Sequence, residues 1–215
     1  MQRRTLQQYY RAMLRRFGPQ HWWPGESPFE VMVGAMLTQN TNWKNVEKAI
    51  ANLRNAHALD PHILHEMALP ELAALIRPAG YFRVKSRRLK NLVAWFVERY
   101  DGDIEALAGR STHVLREELL EVSGVGRETA DSILLYALDR PIFVIDTYTY
   151  RVLSRHRFVA EETDYEEMRG LFEGTLKRDV PTWNEYHALL VRVGNEFCRP
   201  KPKCEECPLR KYLPE

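Results

Sequence analysis

Apolar residues recur three and four positions apart in ten segments: Tyr9 to Phe17, Phe29 to Leu37, Val46 to Leu53, Leu72 to Ile76, Leu89 to Phe96, Val114 to Leu120, Ile133 to Leu138, Tyr148 to Leu153, Tyr165 to Leu176 and Tyr186 to Val193. That period lays one apolar face along an α-helix, so the pattern predicts an all-α protein of about ten helices. Breakers separate the segments: Pro24-Gly25, Pro61, Pro70, Pro78-Ala79-Gly80, Asp101-Gly102-Asp103, Gly124-Val125-Gly126 and Pro181. Only Ile142 to Ile145 reads as strand, and it is too short to build a sheet. There is no internal repeat, low-complexity linker or disordered tail.

Composition narrows the class. With 215 residues and 45% hydrophobic content, the chain can bury a core as one compact unit or two small lobes. No apolar run approaches the roughly 20 residues of a membrane span. The polar start Met1-Gln2-Arg3-Arg4-Thr5 leads into an amphipathic helix with no apolar signal segment behind it. The expectation is a cytoplasmic protein, nucleoid-associated if bacterial, with no membrane partner. A formal net charge of +2 is too small to identify a nucleic-acid binder, so that role rests on where the basic residues cluster. Arg83, Lys85, Arg87, Arg88 and Lys90 form one group, and Arg199, Lys201 and Lys203 another. The first group equally describes the solvated face of a helix.

The most informative stretch is Leu120-Glu121-Val122-Ser123-Gly124-Val125-Gly126-Arg127-Glu128-Thr129-Ala130, followed by an apolar run ending in Val144-Ile145-Asp146-Thr147. Two glycines around one valine, with helical patterns on both sides, predict a tight hairpin. Glycines permit positive φ and close backbone approach, and the helix starting at Arg127 offers unpaired amides and a positive dipole end, which together suit a phosphate. Asp146 opens the next helical pattern and sets a carboxylate at a helix start. Singly, the glycines read as a connector and the aspartate as an N-cap.

In this order and spacing the two features resemble the helix-hairpin-helix DNA glycosylases with a Gly/Pro-rich loop and an essential aspartate. The resemblance extends over most of the chain. Phe29 to Thr41, ending Leu37-Thr38-Gln39-Asn40-Thr41, resembles the helix and turn from which this family projects a polar residue into the duplex. An enzyme acting on a damaged base must rotate it out of the stack and fill the hole. Gln39 is the candidate filler, although Gln39-Asn40-Thr41 also suits a polar loop capping the helix near Trp43. Trp22-Trp23-Pro24 and Trp43 complete a set most similar to the 3-methyladenine glycosylase branch related to endonuclease III. There the residues corresponding to Trp23, Pro24 and Trp43 line the base pocket. Aromatic faces attract a cationic alkylpurine, whereas the ordinary place for tryptophan is the core.

The resemblance implies a two-lobed fold: residues 25–137 as a central helical lobe with the hairpin, and residues 1–24 plus 138–215 as a second lobe, with DNA across the cleft between them. It implies base excision repair on double-stranded DNA containing damaged bases, by a monomer. Gln39, Gly124, Val125, Gly126, Arg127 and Thr129 would contact DNA and Asp146 would be catalytic. Lyase-active relatives carry a lysine two residues after the second hairpin glycine, where this chain has Glu128. A carboxylate cannot form a Schiff base, so only base–sugar cleavage is expected. Glu128 is grouped with the base pocket, but also suits a first-turn residue favouring the helix dipole. The alternatives are a mismatch or oxidised-base glycosylase, or a non-catalytic helix-hairpin-helix clamp.

All three cysteines lie in Cys198-x5-Cys204-x2-Cys207-Pro208. In a cytosolic protein this is a ligand loop rather than a disulfide framework. It resembles the [4Fe–4S] loop of endonuclease III relatives, with two departures. The first gap is five residues rather than six, and Tyr212 and Leu213 stand where a fourth cysteine is expected. A cluster with another fourth ligand, three-cysteine zinc completed by His187 or His156, and an empty relic remain open.

Overall fold

A computed structural model describes residues 2–214, with side chains described from Thr5 to Pro214. Among these residues there are twelve α-helices and no strand. The chain divides into two compact units, one of residues 23–140 and one of residues 1–22 with 141–215.

In the 23–140 unit, α2 (Pro28–Leu37) is the central helix. Phe29 through Leu37 are all buried, so it has no polar face, and α3 (Trp43–Asn55) and α6 (Phe82–Tyr100) pack against it. Its start is set by Ser27, whose hydroxyl accepts from the Glu30 amide, with Pro28 in the first turn. Asn42 caps α3 in the same way. Two short helices, α4 (Pro61–Glu66) and α7 (Ile104–Ala108), escaped the sequence pattern because five or six residues span too few turns to show a period. With α5 (Leu69–Leu75) they lie around α6. The unit ends with α8 (Thr112–Glu121), α9 (Arg127–Ser132) and a π turn at Ile133–Ala137, where a continuing α-helix was expected.

In the other unit, α1 (Gln2–Phe17) and α10 (Thr147–Arg155) pack against α12 (Val180–Glu196), and α11 (Tyr165–Thr175) packs against α1. Acidic caps start the later three: Asp146, Asp164 in a capping box with Glu167, and Asp179. Ile142 to Ile145 is extended and buried but pairs with no strand. Its apolar run comes from burial: Phe143 stacks on Phe172 with ring centroids 3.9 Å apart, and its amide donates to Glu173.

Candidate functional site

The hairpin joins α8 to α9. Arg116 of α8 donates from Nε (2.6 Å) and a terminal nitrogen (3.2 Å) to the two oxygens of Asp131 in α9, a fully buried carboxylate. This two-point pair fixes the angle between the helices. The two glycines do different jobs. Gly124 has φ +99°, and a β-carbon there would overlap the Arg88 side chain, so backbone conformation and close approach both require glycine. Gly126 has φ −95° and nothing within 4 Å of a β-carbon. The positive φ expected at both glycines therefore occurs only at Gly124. The Val125 amide donates to Val122 and its side chain is buried, whereas Gly126, Arg127 and Glu128 are exposed.

Gln39 lies against this hairpin. Its Nε2 donates to the Gly124 carbonyl (3.1 Å) and to Thr129 Oγ1 (3.0 Å), and Arg88 donates to its Oε1 at 2.6 Å. Thr129 is buried and faces Gln39. The basic group read as one surface is divided by the fold. Lys85 is 2% exposed and holds the carbonyls of Leu37 and Ala79, and desolvation, with Arg88 nearby, lowers its pKa to about 8. It anchors the end of α2 two residues before Gln39. Lys90 donates to the carbonyls of Leu64, His65 and Met67. Arg83 and Arg87 remain exposed. Tyr81, just ahead of α6, has φ +45° and is 73% exposed, an aromatic side chain on the surface that helix periodicity could not single out.

Trp23, Pro24 and Trp43 line one open cavity of about 310 Å³. The two indoles meet edge to face, with centroids 5.1 Å apart and planes at 89°, so they are not parallel walls. Trp23 is seated on Gly34 of α2, where a β-carbon would lie 3.2 Å from its ring nitrogen, and packs against Tyr136 of the π turn. Trp43 donates from Nε1 to Glu47 at 2.7 Å. Glu26, Glu30 and Glu47 line the same cavity with Arg54, which donates to both Glu30 oxygens and pairs with Glu26 at 3.2 Å. Three carboxylates thus face one guanidinium. Glu47 stands one helical turn after Trp43, a spacing that could have flagged it. Glu128 does not line this cavity.

In the other unit, Asp146 caps α10 through one oxygen, which accepts from the Thr149 amide at 2.7 Å. Its second oxygen lies 3.8 Å from His187 Nε2 of α12. Both side chains are nearly buried, at 9% and 6% exposed. Burial lowers the His187 pKa more than the Asp146 charge raises it.

Cys198, Cys204 and Cys207 line a second cavity with His156, Arg155 and Leu213. All three thiols are free, and Arg155 donates to Cys198 Sγ at 3.2 Å. Burial raises the Cys207 pKa, reinforced by Cys198 and Cys204. His156 Nδ1 is bonded to the Tyr9 hydroxyl at 2.6 Å. His187 sits at Asp146, so it does not complete a site with the cysteines. Among the described residues no group of three or more His, Cys, Asp or Glu side chains gathers closely enough to hold a single metal ion.

Residues 33–178 match the HhH-GPD superfamily base excision DNA repair proteins, and the chain belongs to that family. A protein of Methanocaldococcus jannaschii whose name assigns it to the DNA repair glycosylases is 47% identical over 94% of this chain and 93% of its own length. Endonuclease III of Thermotoga maritima is 30% identical over 96% of this chain and 91% of its length. The crystal structure of the Helicobacter pylori 3-methyladenine DNA glycosylase bound to 1,N6-ethenoadenine is similar in fold, with a TM-score of 0.75, 27% identity and coverage of 91% of this chain and 97% of that one. The all-α fold is the one these glycosylases share.

Proposed function

We propose that this protein is a monofunctional DNA glycosylase that releases cationic alkylated bases of the 3-methyladenine type from duplex DNA, acting as a monomer. The observation that carries the reading is the cavity of Trp23, Pro24 and Trp43 ringed by Glu26, Glu30 and Glu47 against the one Arg54. An aromatic face and an excess of carboxylates both favour a positively charged ring over a neutral one of equal size. With the indoles perpendicular, the base stacks on one face and meets the edge of the other ring. The substrate in the name of the Helicobacter pylori relative supports the same class.

Asp146 supplies the chemistry. Cleavage of the base–sugar bond passes through an oxocarbenium-like state, and a carboxylate near C1′ stabilises that charge and takes a proton from the attacking water. A cationic base leaves as a neutral molecule and needs no acid. Glu128, exposed in the first turn of α9, cannot attack C1′ as an amine does. Strand cleavage is therefore not part of the reaction.

Gln39, already preorganised on the hairpin, is the residue that enters the duplex. The hairpin grips phosphate at Gly126. Because Gly126 has an ordinary φ and open space, Gly126→Val should fold normally and lose affinity for all duplex sequences alike. Titrations of damaged and undamaged duplexes at two salt concentrations measure this, and unchanged binding by the folded variant would leave the hairpin a connector.

The cysteine loop fits an iron–sulfur cluster in its donor set. The three thiols line one cavity, and thiolates are the donors that such a cluster takes. Cys198, Cys204 and Cys207 would hold it, with Tyr212 and Leu213 where the fourth cysteine is missing. Its contribution would be structural, ordering the basic stretch Arg199 to Lys203.

The cavity reading is tested by Trp43→Leu and Glu47→Gln. Trp43→Leu should lower turnover of charged methylpurines about tenfold more than turnover of neutral lesions, tenfold being about 1.4 kcal/mol and within what a desolvated cation–π contact supplies, and Glu47→Gln, which removes a negative charge from the cavity, should act in the same direction. Equal losses on both substrate classes, with a large fall in melting temperature, would mean that Trp43 is merely a core residue.

A further inference from the structure

We infer that His187 is a positioning residue that acts through Asp146: it receives from the carboxylate the proton that Asp146 takes from the attacking water. The inference rests on Asp146 being the reacting carboxylate. Its geometry is specific. The Thr149 amide occupies one Asp146 oxygen, so the other is the one left for chemistry, and that oxygen lies 3.8 Å from His187 Nε2. The separation is too short to admit a water and slightly longer than a hydrogen bond. Catalytic hydrogen bonds in ligand-free enzymes are often long and tighten on substrate.

His187 is held in place by its surroundings. It lies inside α12, and its ring stands edge-on to Phe143 at 6.5 Å. Asp146, at the start of α10, is the charged group whose field reaches it, raising a pKa that burial lowers. The imidazole is thus neutral near pH 7. In the tautomer with its proton on Nδ1, it offers a lone pair at Nε2. As the water oxygen bonds to C1′, the C1′–N pair leaves with the base and the water O–H bond breaks. The proton passes to Asp146 and then to Nε2, giving imidazolium beside restored carboxylate. The imidazolium returns its proton to solvent after product release.

Two measurements test this. First, proton NMR follows the His187 ring signals, assigned by their loss in His187→Gln. In wild type they should titrate below 6.5, and in Asp146→Asn lower still, because the charge that raises the value is gone. A titration that Asp146→Asn leaves unmoved would overturn the pairing. Second, His187→Gln should lower kcat on a methylpurine duplex about 100-fold. Lesion affinity should stay within about twofold, and the pH–rate profile should lose the step set by His187. Wild-type kcat with an unchanged profile would overturn the role. If His187→Gln does not fold, His187→Asn serves in both measurements. If the wild-type enzyme releases no base from any lesion duplex, the glycosylase reading fails, and the NMR titration still decides whether His187 and Asp146 are coupled.

Discussion

Asp146→Asn is expected to lower base release by about 10³-fold or more, equivalent to roughly 4 kcal/mol of lost transition-state stabilisation, while lesion-duplex affinity stays within about threefold. The substitution is unusually clean here. Asparagine is as good an N-cap as aspartate, so the bond from the Thr149 amide and the start of α10 survive. Only the charge is removed. Single-turnover assays paired with binding titrations read the two quantities separately. A variant that binds lesion DNA and still turns over within tenfold of wild type would reduce Asp146 to a helix cap.

The second large effect lies in the hairpin. Asp131→Ala leaves the Arg116 guanidinium, itself only 14% exposed, without the carboxylate that takes two of its hydrogen bonds. Removing one partner of a buried pair costs about 3–5 kcal/mol. For a chain of this size the melting temperature should fall by roughly 10 °C, and the angle between α8 and α9 loses its tie, so duplex affinity falls at temperatures where the protein remains folded. Thermal unfolding measured beside DNA binding checks both. An unchanged melting temperature would show that packing alone holds the hairpin.

The helices were legible wherever an apolar face repeats over several turns, as in α6 and α12, and illegible in α4 and α7, which are too short to repeat. Ile142 to Ile145 shows a different ambiguity: an apolar run reports burial, and burial occurs in extended segments that pair with nothing. That Trp23, Pro24 and Trp43 come together at one cavity could be anticipated because they carry the family resemblance, and the carboxylates beside them could not. Side chains such as Arg88, which bonds Gln39 from 49 residues away, are brought together by tertiary packing, which no local pattern records. The same holds for Lys85. In the sequence it is one basic residue among five, and in the fold it is a buried clamp on two carbonyls. His187 stood as a possible metal ligand, and its partner is the carboxylate of Asp146, 41 positions earlier in the chain.

The most direct measurement of the proposed reaction is made on a duplex carrying one 3-methyladenine-type base and one labelled strand. The purified protein should release the free base and leave the labelled strand intact until alkali is added, and borohydride should trap no covalent complex. The same assay on duplexes with neutral lesions should run slower by about tenfold or more. Strand scission without alkali, a borohydride-trapped adduct, or faster release of a neutral base than of the cationic one would contradict the account.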